Sequence, residues 1–414
     1  MQEMRAHNLS IALVSRSNGL GGGASRIAED LGEWLVGGGY DAVHYCADPV
    51  SSLKSFQKSL YRSRWRKWLT RNANRYTRWC GFKEIVSVEF LSELHKSEKR
   101  FSVIHFHDLG EAISPRTLRL CSKSKPVVFT AHDCSSFTGG CMYPLGCDRY
   151  IRSCGKCPQL TRMEARVDFT AQRLEINRST AKQKGIQFVF PSKWLRDLAS
   201  HSLRFGRKPE VIPNGFSAEA YKFRGKLDAR RELGLQEKEK IIIVAAHFLG
   251  EPRKGVSFAL AALRAIADLN PLVIFVGIPL PDVEGRIAGL RFWQTGFVQD
   301  KERLGLLFSA ADAFLCTSLE ENLPIMIQEA MAAGTPVVSF GAGGIPEMIE
   351  DQRNGWLCAP GDQIGLARKL RDALSSKRLG VFGLAAQRAV REQFGVESFV
   401  ERHVEIYKEM IIGS

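Results

Sequence analysis

At 414 residues, with 44% hydrophobic side chains, 37 glycines and 16 prolines, the chain is long enough for two domains with full cores and has the make-up of a soluble globular protein. No run approaches the roughly eighteen apolar residues needed to span a bilayer, and MQEMRAHNLS followed by the short run IALV is a poor secretory leader, so the expected location is the cytoplasm. The formal charge of +14, from 58 Lys and Arg against 44 Asp and Glu, implies an anionic partner: nucleic acid, a membrane face or a phosphorylated substrate.

In chain order, residues 11–14 form a buried-strand candidate leading into SRSNGLGGGASRIAEDLGEWLVGGGYDAVHYC. Glycines at 19, 21, 22 and 23 allow a tight turn and a close approach of backbone to ligand. Residues 25–36 then read as an amphipathic helix with Ile27, Leu31, Trp34 and Leu35 inward, and 43–46 as the next strand. This is the opening βαβ unit of a nucleotide-binding type of domain, on a glycine fingerprint that is weak by itself. Between 54 and 83 come Lys54, Lys58, Arg62, Arg64, Arg66, Lys67, Arg71, Arg75, Arg78 and Lys83 with no acid at all, interleaved with Phe56, Tyr61, Trp65, Trp68, Tyr76 and Trp79. A helix carrying cations beside aromatic anchors suits an anionic membrane surface, at about 1 kcal/mol per basic side chain close to it. The same composition would serve a solvated face with its aromatics in the core; no nucleic-acid module accompanies it, and no nucleic-acid partner is expected.

The strand 101–106 ends in His105-Phe106-His107-Asp108, and the strand 126–130 in Ala131-His132-Asp133. Titratable groups just past the ends of parallel strands belong to sites more often than to cores. Cys141, Cys147, Cys154 and Cys157 follow with the spacing C-x5-C-x6-C-x2-C, which suits four thiolates around one structural, tetrahedral zinc; metal-free thiols and oxidised pairs are the competing readings. Disulfides are rare in the cytoplasm. Residues 186–191 read as a strand, Ser192-Lys193-Trp194 as a helix start, and Val211-Ile212-Pro213-Asn214-Gly215 as an interdomain turn.

The second half opens with a strand at 241–246 and the run HFLGEPRKGVSFALAALRAI, in which Arg253, Lys254 and Gly255 precede a helix. Strands at 272–276 and 292–297 follow. The stretch 316–347, CTSLEENLPIMIQEAMAAGTPVVSFGAGGIPE, passes from a strand through Glu320 and Glu321 into a helix, with Asn322 expected as N-cap and Pro324 in its first turn. The helix carries Glu329 and stops at Gly334, before a second strand at 337–340. Ligands of such a βαβ unit lie at the carboxyl ends of its strands, so Glu321 and Glu329 point at a ligand. The helix start favours an anion such as a diphosphate, and the two carboxylates suit hydroxyls on either side of it.

With its E-x7-E, EAMAAGTPVV and GGIPE, this stretch resembles the retaining glycosyltransferases of family 4, which have the GT-B fold. The resemblance implies two doubly wound, Rossmann-like α/β domains facing across a cleft: 1–212 for the acceptor, with a cysteine-rich insertion at about 134–160, and 213–392 for the donor. A terminal helix, 393–414, would cross back to the first domain. The implied reaction moves a sugar from a nucleotide-diphosphate sugar to an acceptor hydroxyl, on a lipid-linked or growing polysaccharide, with retention of configuration. It implies catalytic roles for Glu321 beside the transferred sugar, for His132 against sugar and acceptor, and for Arg253 and Lys254 on the leaving diphosphate. Donor contacts fall to Glu329 at the ribose, Gly22 and Gly23 beneath the donor, Phe297 and Val298 at the base, and Leu323, Ile325 and Met326 at the helix start. His247 stands where the family usually has Arg, and ENLPI replaces its glycine-rich EGFGL. No catalytic divalent metal is expected, since cations and helix termini can stabilise the diphosphate. An inner-membrane location through 54–83 accords with such an acceptor. A GT-B sugar-nucleotide epimerase and a catalytically silent sugar-nucleotide binder are the competing functions.

Overall fold

The computed structural model describes residues 9–61, 63–79, 100–110, 113–162, 164–279, 283–287 and 289–413. Arg62 and Lys83 of the basic stretch lie outside them. Most strands are short and apolar at nearly every position, such as VVFT in Val127–Thr130 and IIIVAA at the start of Ile241–Phe248. A strand with no polar face must be covered on both sides, which is the setting of a parallel sheet between helices.

The chain divides into two compact units. Met1–Gly215 with Val396–Ser414 forms the first, and Phe216–Gly395 the second. The first unit holds β1 (Ser10–Ser15), β2 (Asp41–Cys46), β3 (Gln57–Ser59), β4 (Val103–Phe106), β5 (Val127–Thr130), β6 (Ile186–Phe190) and β7 (Glu210–Val211), in the spatial order β3-β2-β1-β4-β5-β6-β7. The second holds β8 (Ile241–Phe248), β9 (Leu272–Ile278), β10 (Arg291–Gly296), β11 (Ala313–Cys316), β12 (Val337–Phe340) and β13 (Gly355–Cys358), in the order β10-β9-β8-β11-β12-β13. Every pairing is parallel. Both are doubly wound sheets in which the winding reverses, between β1 and β4 in one and between β8 and β11 in the other. At such a switch point neighbouring loops leave the sheet in opposite directions and open a crevice for ligand.

Each unit has its own core: Phe106, Phe129, Phe188 and Phe190 in the first, Phe275, Phe308, Phe314 and Phe340 in the second. The terminal helix Val396–Ile412 belongs to the first unit and buries Phe399, His403, Val404, Ile406, Tyr407 and Met410 at three- and four-residue spacing. There Phe399 meets Trp34 edge-on, 5.8 Å between centroids, and Arg402 Nη2 donates to the Val211 carbonyl at 2.6 Å.

One helix starts later than its sequence suggests. Pro324, extended at φ −69° and ψ 120°, is the N-cap of Ile325–Ala332, and Asn322 is not. The pyrrolidine ring of Pro324 disfavours helical backbone at Leu323, so the helix cannot begin before the proline. Among the described residues no helix is long and apolar enough to cross a membrane.

Candidate active site

In the second unit Arg253, Lys254 and Glu321 meet at the switch point. The loop after β8 brings Arg253 and Lys254, and the loop after β11 brings Glu321. Arg253 Nη1 lies 2.7 Å from Glu321 Oε1, and the Lys254 ammonium pairs with the same oxygen. Ser318 Oγ donates to it at 3.3 Å. Arg253 also donates to the Glu320 carbonyl at 2.8 Å and pairs with Glu251 at 2.8 Å. Glu321 is only 7% exposed. Burial pushes its carboxyl up, but the attraction of Lys254 and then Arg253, with hydrogen bonds from both, outweighs this and holds it below the usual carboxylate range.

Backbone holds these loops in register. The Leu319 amide donates to the Arg253 carbonyl at 2.8 Å, Thr317 Oγ1 to the Lys254 carbonyl at 2.9 Å, and the Gly344 amide to the Glu321 carbonyl at 2.9 Å. Two glycines are required by this stitching. Gly255 (φ 62°) and Gly343 (φ 63°) are left-handed, and a Cβ would overlap the carbonyl oxygen of Thr317 at the first and of Glu321 at the second.

Glu329 lies one turn into its helix, 1% exposed, and accepts the Tyr221 hydroxyl at 2.6 Å. Leu323 is buried, and Ile325 and Met326 are half-buried at the helix start. Phe297, just past β10, is 42% exposed and meets His247 edge-on at 4.8 Å, with Val298 half-buried beside it. His247 therefore stands with the aromatic side chain after β10, while Arg253 joins Lys254 on Glu321.

In the first unit, the loop after β1 makes a single turn over Gly19–Gly21. Gly22 (φ 124°) caps the helix Gly23–Gly37, so Gly22 and Gly23 sit at a helix start beside the switch point. His132 follows β5, and its Nε2 lies 3.2 Å from His107 Nδ1. Burial pushes the His132 imidazole down to about 3, with His403 adding to the effect. His105 bonds Tyr407 of the terminal helix at 2.7 Å and Thr130 at 2.8 Å. Glu29, a residue the motifs do not mark, accepts the Gly19 amide at 2.7 Å and ties the glycine turn to Gln57.

The four cysteines of the insertion share one lobe. Arg149 pins it by donating to the carbonyls of Gly155 and Lys156, and Arg178 by donating to Ile151 and Arg152. Burial pushes the Cys154 thiol up to about 11, a Gly139 hydrogen bond opposes this, and the charges of Cys141, Cys147 and Cys157 add to it. A four-thiol donor set is of the kind zinc takes. Among the described residues, however, no three His, Cys, Asp or Glu are spaced to hold a metal ion.

Comparison with known proteins matches this architecture. The profile described as Glycosyltransferase Family 4 covers residues 21–220, and that described as Glycosyl transferases group 1 covers 239–376. An Escherichia coli (strain K12) protein named for colanic acid biosynthesis glycosyl transfer is 25% identical over 334 residues, 77% of this chain and 80% of that one. The next relatives are covered over less of their length; N-acetyl-alpha-D-glucosaminyl L-malate synthase of Bacillus anthracis, 28% identical, is covered over 58%. Among solved structures, sucrose-phosphate synthase from Thermosynechococcus elongatus superimposes with a TM-score of 0.72 at 19% identity, over 98% of this chain and 100% of the other. With two doubly wound units and these matches across most of its length, the chain belongs to glycosyltransferase family 4 and has the GT-B fold.

Proposed function

We propose that the chain transfers a sugar from a nucleoside-diphosphate sugar to an acceptor hydroxyl with retention of configuration. The observation that carries the reading is the pairing of Arg253 and Lys254 with Glu321 at the β8/β11 switch point. Two cations held side by side by one carboxylate can turn to a diphosphate whose negative charge grows as the glycosidic bond breaks. Glu321 is then freed to accept a sugar hydroxyl, and Glu329, which accepts the Tyr221 hydroxyl, takes a ribose hydroxyl in this reading. In the reaction the acceptor oxygen bonds to the anomeric carbon on the face the diphosphate leaves. The carbon–oxygen bond to the diphosphate breaks, and the acceptor proton passes to the departing phosphate oxygen. A related fold solved with UDP-glucose, Anabaena HepE, gives a donor class to begin with (TM-score 0.69, 18% identity).

A lipid-linked or growing polysaccharide acceptor is supported by the Escherichia coli relative's name and by the basic helix Arg64–Trp79, with its exposed Trp65 and Trp68. A structural zinc on Cys141, Cys147, Cys154 and Cys157 is supported by their C-x5-C-x6-C-x2-C spacing and by the positive-φ turns at Gly146 and Gly155 between them; the ion would have to draw the four thiols closer than they stand.

Thermal-shift screening against UDP, GDP, ADP and their sugars identifies the donor, because a bound nucleotide stabilises the fold by mass action. Assay of the donor found, with a glycan-lipid acceptor and analysis of the product anomer, is expected to give a retained configuration that Arg253→Ala and Lys254→Ala each slow by roughly 100-fold. An inverted product overturns the stereochemical part. Epimer formed without acceptor would assign the pocket to a different reaction.

A further inference from the structure

Four imidazoles stand in a row inside the first unit. From the terminal helix, His403 stacks on His105 at 5.3 Å between centroids; His105 lies 4.1 Å from His107, and His107 5.5 Å from His132. His105 and His107 alternate with Phe106 along the end of β4 and so share one face of it. His105, His107 and His403 are each no more than 1% exposed. Burial is the main force lowering the pKa of all four rings; neighbouring rings add to it at His105, His107 and His132, and Arg402 adds to it at His403 against the hydrogen bond to the Phe399 carbonyl, so none carries a charge near neutral pH. Each must therefore be a definite tautomer, donating from one nitrogen and accepting at the other.

The tautomers can be inferred from partners. His403 Nδ1 faces the Phe399 carbonyl at 2.8 Å, an acceptor only, so that nitrogen carries the proton. Between His107 Nδ1 and His132 Nε2, 3.2 Å apart, a single proton makes the bond. His107 Nε2 is buried and, among the described residues, has no hydrogen-bond partner. Were the His107 proton on Nε2, a buried N–H would be stranded, whereas on Nδ1 only a lone pair is left over. A stranded donor is the rarer and costlier defect. The neighbouring carboxylates of Asp108 and Asp133 accept the backbone amides of Arg16 and Ser135, at 2.8 Å each.

We propose that His107 is a positioning residue: its Nδ1–H donates to His132 Nε2 and fixes His132 as the neutral tautomer protonated on Nδ1, with the row anchoring this arrangement to the terminal helix. The functional side rests on the glycosyl-transfer reading, in which His132 meets sugar and acceptor. Held in this way, His132 keeps its Nε2 lone pair occupied, so it acts through hydrogen bonding and is not the base that removes the acceptor proton. The departing diphosphate keeps that task.

Two measurements test this. Nitrogen NMR of protein labelled with 15N-histidine, with His132 assigned by its absence in His132→Gln, should show a pyrrole-type Nδ1 and a pyridine-type Nε2 at pH 7. The reverse pattern, or an even mixture of the two tautomers, overturns the proposal without any variant at position 107. Kinetically, His107→Leu should lower kcat/KM by roughly 10-fold through the lost buried donor. His107→Asn, whose side-chain amide places a donor where Nδ1 stood, should recover to within about 3-fold of wild type. Equal losses in the two variants, or no loss in either, overturn it. If wild type moves no sugar from any donor, the glycosyl-transfer reading fails while the nitrogen spectrum still decides the tautomer.

Discussion

The carboxylate of Glu321 has an electrostatic job even before substrate arrives. It is the shared partner of two largely buried cations, so its charge holds Arg253 and Lys254 in place. Removing one partner of a buried pair leaves the other charge uncompensated, at a cost of about 3 kcal/mol or more when burial is complete. Glu321→Gln keeps the shape and one acceptor oxygen and removes the charge, so we expect a melting temperature several degrees lower than wild type. Because the two cations then lose the carboxylate they share, and only Arg253 keeps an ion pair, with Glu251, a nucleoside diphosphate should raise the variant's melting temperature by more than it raises that of wild type. Equal ligand shifts in the two proteins would show that the diphosphate does not meet these cations. Glu321 and Glu329 were legible in the sequence because their spacing within one βαβ unit carries their geometry, and Lys254 because it precedes a helix just after the first strand of the same domain. The partner of Glu329 was not, since Tyr221 is 108 residues earlier and only the fold brings it near. His107 was marked by its place after a strand, but the row it joins also needs His403, far along the chain on the last helix.

Elements were legible wherever periodicity or a proline dictated them. The central parallel strands followed from their unbroken apolar runs, whereas the edge strands β3 (QKS) and β7 (EV) have none and were not legible; the later start at Ile325 follows from the same proline that the sequence placed in the first turn. The basic helix Arg64–Trp79 is the element whose purpose stays on its surface. Trp65, Trp68 and Leu69, spaced to share a face, are 65%, 60% and 41% exposed. Lys67 and Arg71 turn instead to Asp48, and Arg64 is exposed. A tryptophan face flanked by cations matches the boundary of an anionic bilayer. We expect the protein to float with vesicles containing phosphatidylglycerol and to lose most of that binding in the quadruple variant Arg64→Ser, Trp65→Ser, Arg66→Ser, Trp68→Ser. Binding equal to wild type would mean that the helix serves another purpose. The cysteine lobe makes a separate prediction, because it has little regular structure beyond the single turn Arg149–Arg152. Protein purified without chelator should carry close to one zinc per chain and lose it in Cys154→Ser with Cys157→Ser; a content below about 0.2 per chain would leave the four as thiols.

At the scale of the whole molecule the two units differ in how the chain closes them. The second, Phe216–Gly395, is one continuous segment with its own core, whereas the first is completed only by the last helix, Val396–Ile412. That helix contributes buried Phe399, Val404, Ile406, Tyr407 and Met410, each worth about 1.5–3 kcal/mol when fully removed from water. It also supplies the Tyr407 hydroxyl to His105 and the Arg402 guanidinium to the Val211 carbonyl. Ending the chain at residue 395 strips all of this from the first unit and nothing from the core of the second. The His105 ring then loses a partner in the middle of a buried row, and Trp34 loses the ring it packs against. Hydrogen exchange read peptide by peptide should therefore show a split response. Amides of β1, β4 and β5 should lose at least about tenfold in protection, the equivalent of 1.4 kcal/mol or more of local stability, while those of β8, β11 and β12 keep theirs. Loss in both units would mean that they unfold as one cooperative body. Unchanged protection throughout would mean that the last helix adds nothing to the fold of the first unit. The split outcome is the one that the topology dictates, since the helix is remote in sequence from the sheet it covers and its loss leaves every contact in the second core intact.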